Sequence, residues 1–447
     1  MISKALSFVI GAFMVSGTPA RSVPAVAPAA AQELRELLAA SRGVAPSLCS
    51  LAADGLSSWG GRWQAPAEAI QSDVRKRVHV ERRQRLASDE ARALMEGLAS
   101  VDACERHISA TLIGRLADTT IVATLLPRLA AGAAPERQSV LIALGMLEAP
   151  TALPAITRAL RDESPGVRAN AAWALGRLDQ RSAVPALAIA ATDRDATVRA
   201  AAIVSLGQLH GTDSVETIIR ILKSDPAPEV RRVAAWALGE MRDRAAASAL
   251  MQALASDKDE DVREMAVWAL AQSNSRDAVD AIVTAMRGDA SEDVRETAAW
   301  ALAELNARRA IDALAAVVGG DKDADVRGTA AWAIGELHPG KAPATLVKAI
   351  TDPDPEVRLK AAWALSEIGD PEASAAIVAA LKTEQHERVQ QAEVRALLRT
   401  GEESEDVFRT LLESKDADTR EMAVRALAGH RNSGPWPWPQ PRPRPMP

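Results

Sequence analysis

The stretch RRVAAWALGEM, residues 231–241, decides the fold, because close copies of it recur along the chain. Each copy follows a Val-Arg pair, and the residue in the valine position is numbered as position 0 of its repeat. Position 0 is Val167, Val198, Val230, Val262, Val294, Val326 and Val357, with weaker copies at Glu105, Glu136, Val389 and Thr419. A period of about 31 residues is typical of a solenoid, whose repeats bury their apolar faces against one another. The sequence therefore predicts about eleven repeats within residues 88–430.

Each repeat contains two helical patterns, of which the second is the longer, as in SPGVRANAAWALGRL at residues 164–178. Ser or Asp stands at position −3 in most repeats, where an N-cap residue belongs. On a helical wheel, Val230, Ala234 and Leu238 share one face, which must be the core. Trp236, at position +6, lies about 140° from the centre of that face. The wheel therefore predicts that this ring points away from the core of its own repeat.

Composition favours close-packed helices over a catalytic α/β domain. The 447 residues are 48% hydrophobic but include no Tyr and only 3 Phe. The net charge of −6 argues against general nucleic-acid affinity, which comes from Lys and Arg neutralising phosphates. The His residues are scattered, and the sequence contains no metal-ligand spacing, catalytic triad or phosphate-binding loop. We therefore predict no enzymatic activity, no cofactor, no metal and no nucleic-acid partner.

The N-terminus predicts export. Lys4 precedes an apolar run, residues 5–17, that is shorter than the ~20 residues of a membrane-spanning helix. Small residues follow this run, as in a signal peptide. We assign residues 1–31 to a signal peptide of a bacterial protein, cleaved after Ala20 or after Ala31. The mature protein is then expected to be periplasmic or secreted and free of the membrane.

Residues 32–87 are predicted to be a connector, in part helical and in part irregular, that leads into the repeats. A basic run at residues 75–85 lies within it and is assigned to a solvated surface. Cys49 and Cys104 are the two cysteines of the chain. In an oxidising compartment they either pair or remain buried thiols, and the sequence leaves both possibilities open.

The repeat resembles a known family. A two-helix unit whose first helix ends in Asp, with Val-Arg and then Ala-Ala-x-Ala-Leu-Gly in the second, is similar to HEAT repeats of the short type named after phycobilin lyases. The resemblance implies an all-α, right-handed α-α superhelix, that is, a HEAT/armadillo-like solenoid. It also implies that the second helices line the concave side, so that the tryptophans at position +6 face into the curve.

Asp at position −5 and Arg at position +1 form one series of repeated charges. Its clearest members are Asp225, Arg231, Asp257, Arg263, Asp289, Arg295, Asp321 and Arg327. Repeated arginines are compatible with phosphate binding. We favour a structural role, because each Arg has an Asp of its own or the next repeat within reach. A bidentate pair between them would hold neighbouring repeats in register.

Tryptophans at position +6 form the second series, with Val204 as the one gap between its ends. They are Trp173, Trp236, Trp268, Trp300, Trp332 and Trp363, and acidic residues at position +10 lie near them at Glu240, Glu304, Glu336 and Glu367. One interpretation is packing, in which each ring covers the small residue at position +9 of an adjacent second helix. The other is a groove whose rings and carboxylates bind an extended partner carrying Arg, Lys or Pro. Packing is the favoured main role, and the two are compatible.

Residues 431–447 form a Pro-rich tail that ends in GPWPWPQPRPRPMP. Such a tract cannot continue a helix and prefers an extended form. We predict that the tail is disordered. The alternative is that it docks in the groove through Trp436, Trp438, Arg442 and Arg444.

The function predicted from the sequence is that of an exported scaffold that binds a protein or peptide, without catalysis of its own. The alternative, which follows only from the resemblance, is a chromophore-lyase-like enzyme subunit acting on a tetrapyrrole-carrying protein. Analogy of fold alone is weak support for the latter.

Overall fold

In a computed structural model of the protein, the described residues are 28–44, 88–116 and 118–400, with single positions at 409, 412, 413, 417, 420, 421 and 424. Their regular structure is entirely helical. The predicted all-α solenoid is confirmed in these residues. The signal peptide, most of the connector, most of the eleventh repeat and the Pro-rich tail lie outside them.

Helix α1 (Pro28–Ala40) comes before the repeats. The first helices of the repeats are α2 (Ser88–Leu98), α4 (Val122–Ala131), α6 (Leu153–Ala159), α8 (Val184–Ala190), α10 (Val215–Ser224), α12 (Ala247–Ser256), α14 (Val279–Gly288), α16 (Ile311–Gly320), α18 (Ala344–Lys348) and α20 (Ser374–Leu381). The second helices are α3 (Ala103–Leu116), α5 (Ala134–Met146), α7 (Pro165–Arg177), α9 (Ala196–Gln208), α11 (Pro228–Met241), α13 (Glu260–Gln272), α15 (Glu292–Glu304), α17 (Ala324–Glu336), α19 (Pro355–Ile368) and α21 (Glu387–Thr400). Short 3-10 turns precede most of the first helices, as at Arg276–Ala278.

The helices belong to two compact units, and the chain passes from one to the other within α11, between Ala237 and Leu238. The first compact unit contains the described residues up to Ala237, except Leu222–Ser224. The second contains that short segment and the residues from Leu238 onwards. Both are built from the same repeat.

The starts of the second helices follow the sequence pattern. Asp195 and Asp323, at position −3, are extended N-cap residues whose side chains accept backbone hydrogen bonds from the first turn. Asp323 Oδ1, for example, lies 3.0 Å from the amide nitrogen of Asp325 and 3.2 Å from that of Val326. Serine replaces aspartate at this position in the Val294 repeat, and Ser291 makes no such capping bond.

Most of the second helices end in a left-handed residue at position +12. In seven repeats this residue has a side chain and a φ between 45° and 52°, namely Glu148, Asp179, His210, Arg242, Asn274, Asn306 and His338. In the next repeat it is Gly369, with a φ of 66°. Left-handed backbone is costly for a residue with a Cβ, so each of these helix ends stores a small strain.

The core of each repeat lies where the helical wheel places it. In α15, Val294, Ala298, Ala301 and Leu302 are fully buried. Full burial of one leucine side chain contributes about 2 kcal/mol relative to exposure. The repetition of this pattern from α7 to α19 explains why small alanines, rather than aromatic residues, fill the interior.

Helix α1 covers the beginning of the first repeat. Its Leu38 is 2% exposed, and a methyl group built on Gly97 of α2 would lie 3.3 Å from a Cδ of this leucine. Just after α1, Arg42 donates two hydrogen bonds to Glu105, at 2.7 and 3.1 Å. Part of the predicted connector therefore caps the open end of the repeats, as terminal elements of solenoids do. Ala31 is buried within α1, so the second of the two predicted cleavage positions would cut through this helix.

Cys104, at the start of α3, is disulfide-bonded, and Cys49 lies outside the described residues. Among the helices of the described segments, none has the length and apolar character that crossing a bilayer requires.

Candidate functional site

The Asp-Arg series forms a ladder of buried ion pairs between consecutive repeats. Arg295 donates Nε–H to Asp321 Oδ2 at 2.8 Å and Nη2–H to Oδ1 at 3.0 Å. The Nη1 group of Arg295 also donates to the main-chain oxygens of Asp289 and Ala290 in its own repeat. Asp321 in turn accepts a hydrogen bond from the amide of Asp323 at 2.9 Å. Each pair thus joins the loop of one repeat to the loop of the next.

The same bidentate arrangement recurs along both compact units. It is made by Arg168 with Asp193, Arg199 with Asp225, Arg263 with Asp289, Arg327 with Asp352 and Arg358 with Glu384. These guanidinium groups are already satisfied by carboxylates and carbonyls. They are therefore poorly suited to bind a phosphate.

The ladder also sets the protonation of its members. For Arg295, hydrogen bonding to Asp321 raises the pKa above its ordinary value. Burial raises the pKa of Asp321, but the hydrogen bonds from Arg295 and from the amide of Asp323 outweigh burial and hold it below the ordinary value. Both partners are thus charged at neutral pH. At the last described repeat, Gln390 stands in the arginine position and keeps only the bond to the carbonyl of Glu384.

The tryptophans at position +6 are largely buried. Trp236, Trp268, Trp300, Trp332 and Trp363 are 4–7% exposed, while Trp173 is half-buried. Their burial comes from neighbouring second helices, which cover the ring from the side.

Glycines at position +9 make room for these rings. A methyl group built on Gly335 would lie 2.6 Å from Cζ3 of Trp363 and 2.9 Å from Cα of Ala364. Gly145, Gly207 and Gly239 meet the rings of Trp173, Trp236 and Trp268 in the same way. Gly176 precedes the gap at Val204 and instead faces Ser205. Trp332 and Trp363 also stack on each other, with ring centroids 6.4 Å apart and planes 20° apart.

This burial corrects one part of the groove interpretation. The groove interpretation had the six rings offer an aromatic face to a partner beside their favoured packing role, and five of them have almost no surface to offer. The wheel placed each tryptophan outside the core of its own repeat but did not include the adjacent second helix. The four carboxylates of the same interpretation remain accessible: Glu304 and Glu336 are exposed, and Glu240 and Glu367 are half-buried.

Carboxylates surround the buried rings of the second compact unit. Nine of the twelve residues at positions −1, +2 and +10 of α13, α15, α17 and α19 are acidic, and the other three are Gln272, Gly328 and Leu359. We call the nine the carboxylate stripe: Asp261, Glu264, Asp293, Glu296, Glu304, Asp325, Glu336, Glu356 and Glu367. These positions fall within an arc of about 80° on one side of each helix. The stripe is therefore a single acidic face.

Threonines of the following repeat orient two stripe members. Thr297 donates its hydroxyl to Glu264 Oε1 at 3.0 Å, and Thr329 donates to Glu296 Oε1 at 2.9 Å. Lys360 Nζ lies 3.4 Å from the Thr329 hydroxyl. Its alkyl chain occupies the space above Gly328, where an added methyl group would lie 3.0 Å from Cδ.

The pKa values of two stripe members, Glu264 and Glu296, are raised above the ordinary value. Burial raises the pKa of Glu264 to about 7, and the charges of Asp293, Asp261 and Glu296 add to the shift against the hydrogen bond from Thr297. Neighbouring carboxylates repel one another, and among the described residues the charge of Lys360 offsets this repulsion in part at Glu296. Approach of an external cation would relieve this repulsion.

A carboxyl group with a raised pKa also lies at the carboxyl-terminal end of α17. Although the Glu336 side chain is exposed overall, partial desolvation of its carboxyl group raises its pKa, helped by the charges of Glu367 and Glu304 and opposed by that of His338. His338 Nε2 lies 3.8 Å from Glu367 Oε2, and its Nδ1 contacts the main-chain oxygen of Glu336 at 2.8 Å.

Sequence reasoning missed Glu393 in α21. This side chain is fully buried at position +4, and neither of its carboxylate oxygens has a hydrogen-bond partner. Burial raises its pKa to about 8, with a further contribution from Glu384 and an opposing one from Arg358. The sequence contains a sign of this buried glutamate, because position +4 is alanine in the seven consecutive repeats before it, from Ala171 to Ala361.

Groups of His, Cys, Asp and Glu arranged to hold a metal ion are absent from the described part of the chain. The hydrogen-bonded carboxylates of the stripe, Glu264 in α13 and Glu296 in α15, instead recur at the same position of consecutive repeats.

Comparison with known proteins identifies the repeat. A family defined as HEAT repeats matches residues 122–207, 185–271, 247–334 and 316–398, which together cover more than half of the chain. The protein belongs to the HEAT-repeat family. No curated protein sequence matches the chain.

Solved structures support this fold for the HEAT-repeat protein. Yeast importin-beta, Kap95p, is similar with a TM-score of 0.58 and 14% identity, over 96% of this chain and 66% of that chain. Kap121p bound to Pho4p is similar with a TM-score of 0.51 and 16% identity, over 76% and 45%. Kap121p bound to the extreme C-terminus of the protein phosphatase Cdc14p gives a TM-score of 0.50 at the same identity and coverage. The chain thus spans less than two thirds of the length of these importins, and the likeness is one of fold.

Proposed function

We propose that this HEAT-repeat protein is a non-catalytic, exported scaffold that binds an extended cationic segment of a protein partner along the carboxylate stripe. The observation that carries the proposal is the acidic face of the second compact unit. There, the half-buried carboxyl groups of Glu264 and Glu296 accept hydrogen bonds from threonines and form no ion pair among the described contacts. A partner with Arg or Lys side chains would neutralise this face, and bidentate contacts with carboxylates favour Arg.

The kind of partner follows from the shape of the site. The stripe runs across four neighbouring helices, which lie about 8–10 Å apart in such stacks. An extended segment with several cationic side chains meets this spacing better than a compact surface does. Kap121p, which is similar in fold, is bound to a short protein segment in one of its structures, the extreme C-terminus of Cdc14p.

Export is part of the proposal. It rests on the signal-like N-terminus and is supported by the disulfide at Cys104, since disulfides persist in oxidising compartments. The finer assignment to the phycobilin-lyase type of HEAT repeat stays a prediction, as does the lyase-like alternative function.

The test compares capture of proteins from the exported fraction by two matched variants of the full chain. Glu264→Gln with Glu296→Gln removes two ionisable carboxyl groups from the stripe. Asp277→Asn with Asp312→Asn removes two charges from exposed positions near and on the first helices of the same compact unit. We expect about a tenfold loss of affinity, ~1.4 kcal/mol, for the first variant only. Equal capture by both variants would remove the stripe from the function.

A further inference from the structure

The chain itself contains a segment whose chemistry complements the stripe. Residues 431–447 contain Arg431, Arg442 and Arg444 and no acidic residue. Alternating prolines favour an extended polyproline conformation for residues 435–447 and remove about half of the amide donors of this segment. Recognition of this segment would therefore depend on its side chains, above all on the guanidinium groups of Arg442 and Arg444.

The stripe is suited to such a segment in charge and in chemistry. Its exposed members at position −1, Asp261, Asp293 and Asp325, flank the half-buried Glu264 and Glu296. Within the described residues, Lys360 contacts Thr329 and its charge acts to lower the pKa of Glu296, while Arg388 pairs with Glu356 at 3.2 Å. The remaining carboxylates have no guanidinium of their own among the described contacts.

The lengths are also compatible. Four second helices at about 10 Å spacing span roughly 30 Å between the axes of the first and the last. A polyproline segment rises about 3.1 Å per residue, so residues 431–444 would extend roughly 40 Å. Alternate residues of such a segment point to different sides, and Arg442 and Arg444, two residues apart, can both reach carboxylates of adjacent helices.

We propose that the Pro-Arg tail, residues 434–447, docks on the carboxylate stripe of its own chain and competes there with the partner. This inference rests on the proposed function and names the first occupant of the same face. A tethered segment has an effective concentration in the millimolar range, so even a weak contact keeps the face occupied. A partner would have to displace the tail, and partner binding would be slower or weaker than the face alone allows.

The experiment measures binding of a fluorescent synthetic peptide of residues 434–447 to full-length protein by anisotropy at low ionic strength. One protein is the natural sequence, and the other carries Arg442→Gln and Arg444→Gln, which neutralise its own tail. We expect the peptide to bind the neutralised protein about tenfold more tightly, because the competing tail is gone. Adding Glu264→Gln and Glu296→Gln should abolish that binding, whereas Asp277→Asn and Asp312→Asn should not.

Two results would overturn the inference. One is equal affinity of the peptide for the natural and the tail-neutralised protein, and the other is the absence of binding to the tail-neutralised protein. In either case, stripe-dependent capture of an exported partner would leave the proposed function standing. Self-association that rises with protein concentration and disappears on tail neutralisation would replace docking on the same chain by docking on a second copy.

Discussion

The two compact units share a skeleton and differ in one face. In α7 of the first, positions −1, +2 and +10 are Gly166, Ala169 and Arg177, and from α5 to α9 these positions contain no carboxylate. In α15 of the second, the same positions are Asp293, Glu296 and Glu304. The core valines, alanines and leucines and the Asp-Arg ladder are the same in both. The architecture and the acidic face proposed for binding therefore depend on different positions of the repeat, and the acidic face is concentrated in the second compact unit.

The largest expected effect tests the shared skeleton. Arg168→Ala in the first compact unit and Arg295→Ala in the second each leave a largely buried aspartate side chain, Asp193 or Asp321, without its partner. We expect each to lower the free energy of unfolding by about 3–5 kcal/mol. Urea denaturation followed by circular dichroism measures this, and peptide binding to the folded variants should not change. A much smaller cost in one unit would show that the ladder is not equivalent in the two.

The buried Glu393 tests an exception within the second compact unit. Its pKa is about 8 when folded against an ordinary value of 4.5, so the folded state retains a proton that the unfolded state releases. Stability should therefore fall as the pH rises from about 4.5 to 8. Glu393→Ala restores the alanine of the other repeats and should add about 4 kcal/mol at pH 8 and nothing from this source at pH 4.

Glu393→Gln is the control of similar volume for that experiment. It should flatten the same part of the pH profile, measured by urea denaturation between pH 4 and 9. An unchanged slope in both variants would mean that the carboxyl group is not the origin of the pH dependence.

The glycines beneath the tryptophans test packing in both compact units. Gly145→Ala and Gly335→Ala each place a methyl group 2.6 Å from a tryptophan Cζ3, so the ring or the helix must move. We expect a loss of about 1–3 kcal/mol for each, seen as a lower thermal midpoint. Ala303→Gly is the reverse change at the same position and should not relieve any clash. A negligible change in the thermal midpoint for Gly145→Ala alone would indicate that the half-buried ring of Trp173 can move aside, whereas that of Trp363 cannot.

The smallest expected effect is at the left-handed helix ends. His210→Gly in the first compact unit should stabilise by up to about 1 kcal/mol, because glycine adopts its φ of 47° without strain. Asn306→Gly in the second should gain less, since asparagine tolerates a φ of 50° better than histidine does. Thermal midpoints of the two variants measure the difference. The opposite order would show that side-chain contacts, not backbone strain, dominate there.

Much of the fold was predictable because each rule was repeated many times. Period, N-caps and the Val-Ala-Leu face gave the two-helix repeat and its core. The role of α1 as a cap was not predictable, because Leu38 has no counterpart in the repeats. The left-handed position +12 was also missed, since only Gly369 shows the residue that this conformation favours.

The candidate site was predictable in part. The wheel gave the face that contains Trp300 and Glu304, but burial of the ring depends on a neighbouring helix about 31 residues away. On the same wheel, position +2, which contains Glu264 and Glu296, also lies away from the core face. Their half-buried state and the hydroxyl bonds from Thr297 and Thr329 depend on contacts between repeats, which a single helix does not reveal.

The direction of the Asp-Arg ladder has a consequence for synthesis. Wherever the bidentate pair occurs, the arginine lies in the earlier repeat and the aspartate or glutamate in the later one, as for Arg263 with Asp289. A ribosome releases the arginine first, so the newest repeat on a growing chain has an unmatched cation until its successor emerges. The ion pairs between repeats then form in order from the amino-terminal end. A chain that stops early is left with an exposed guanidinium at its last repeat.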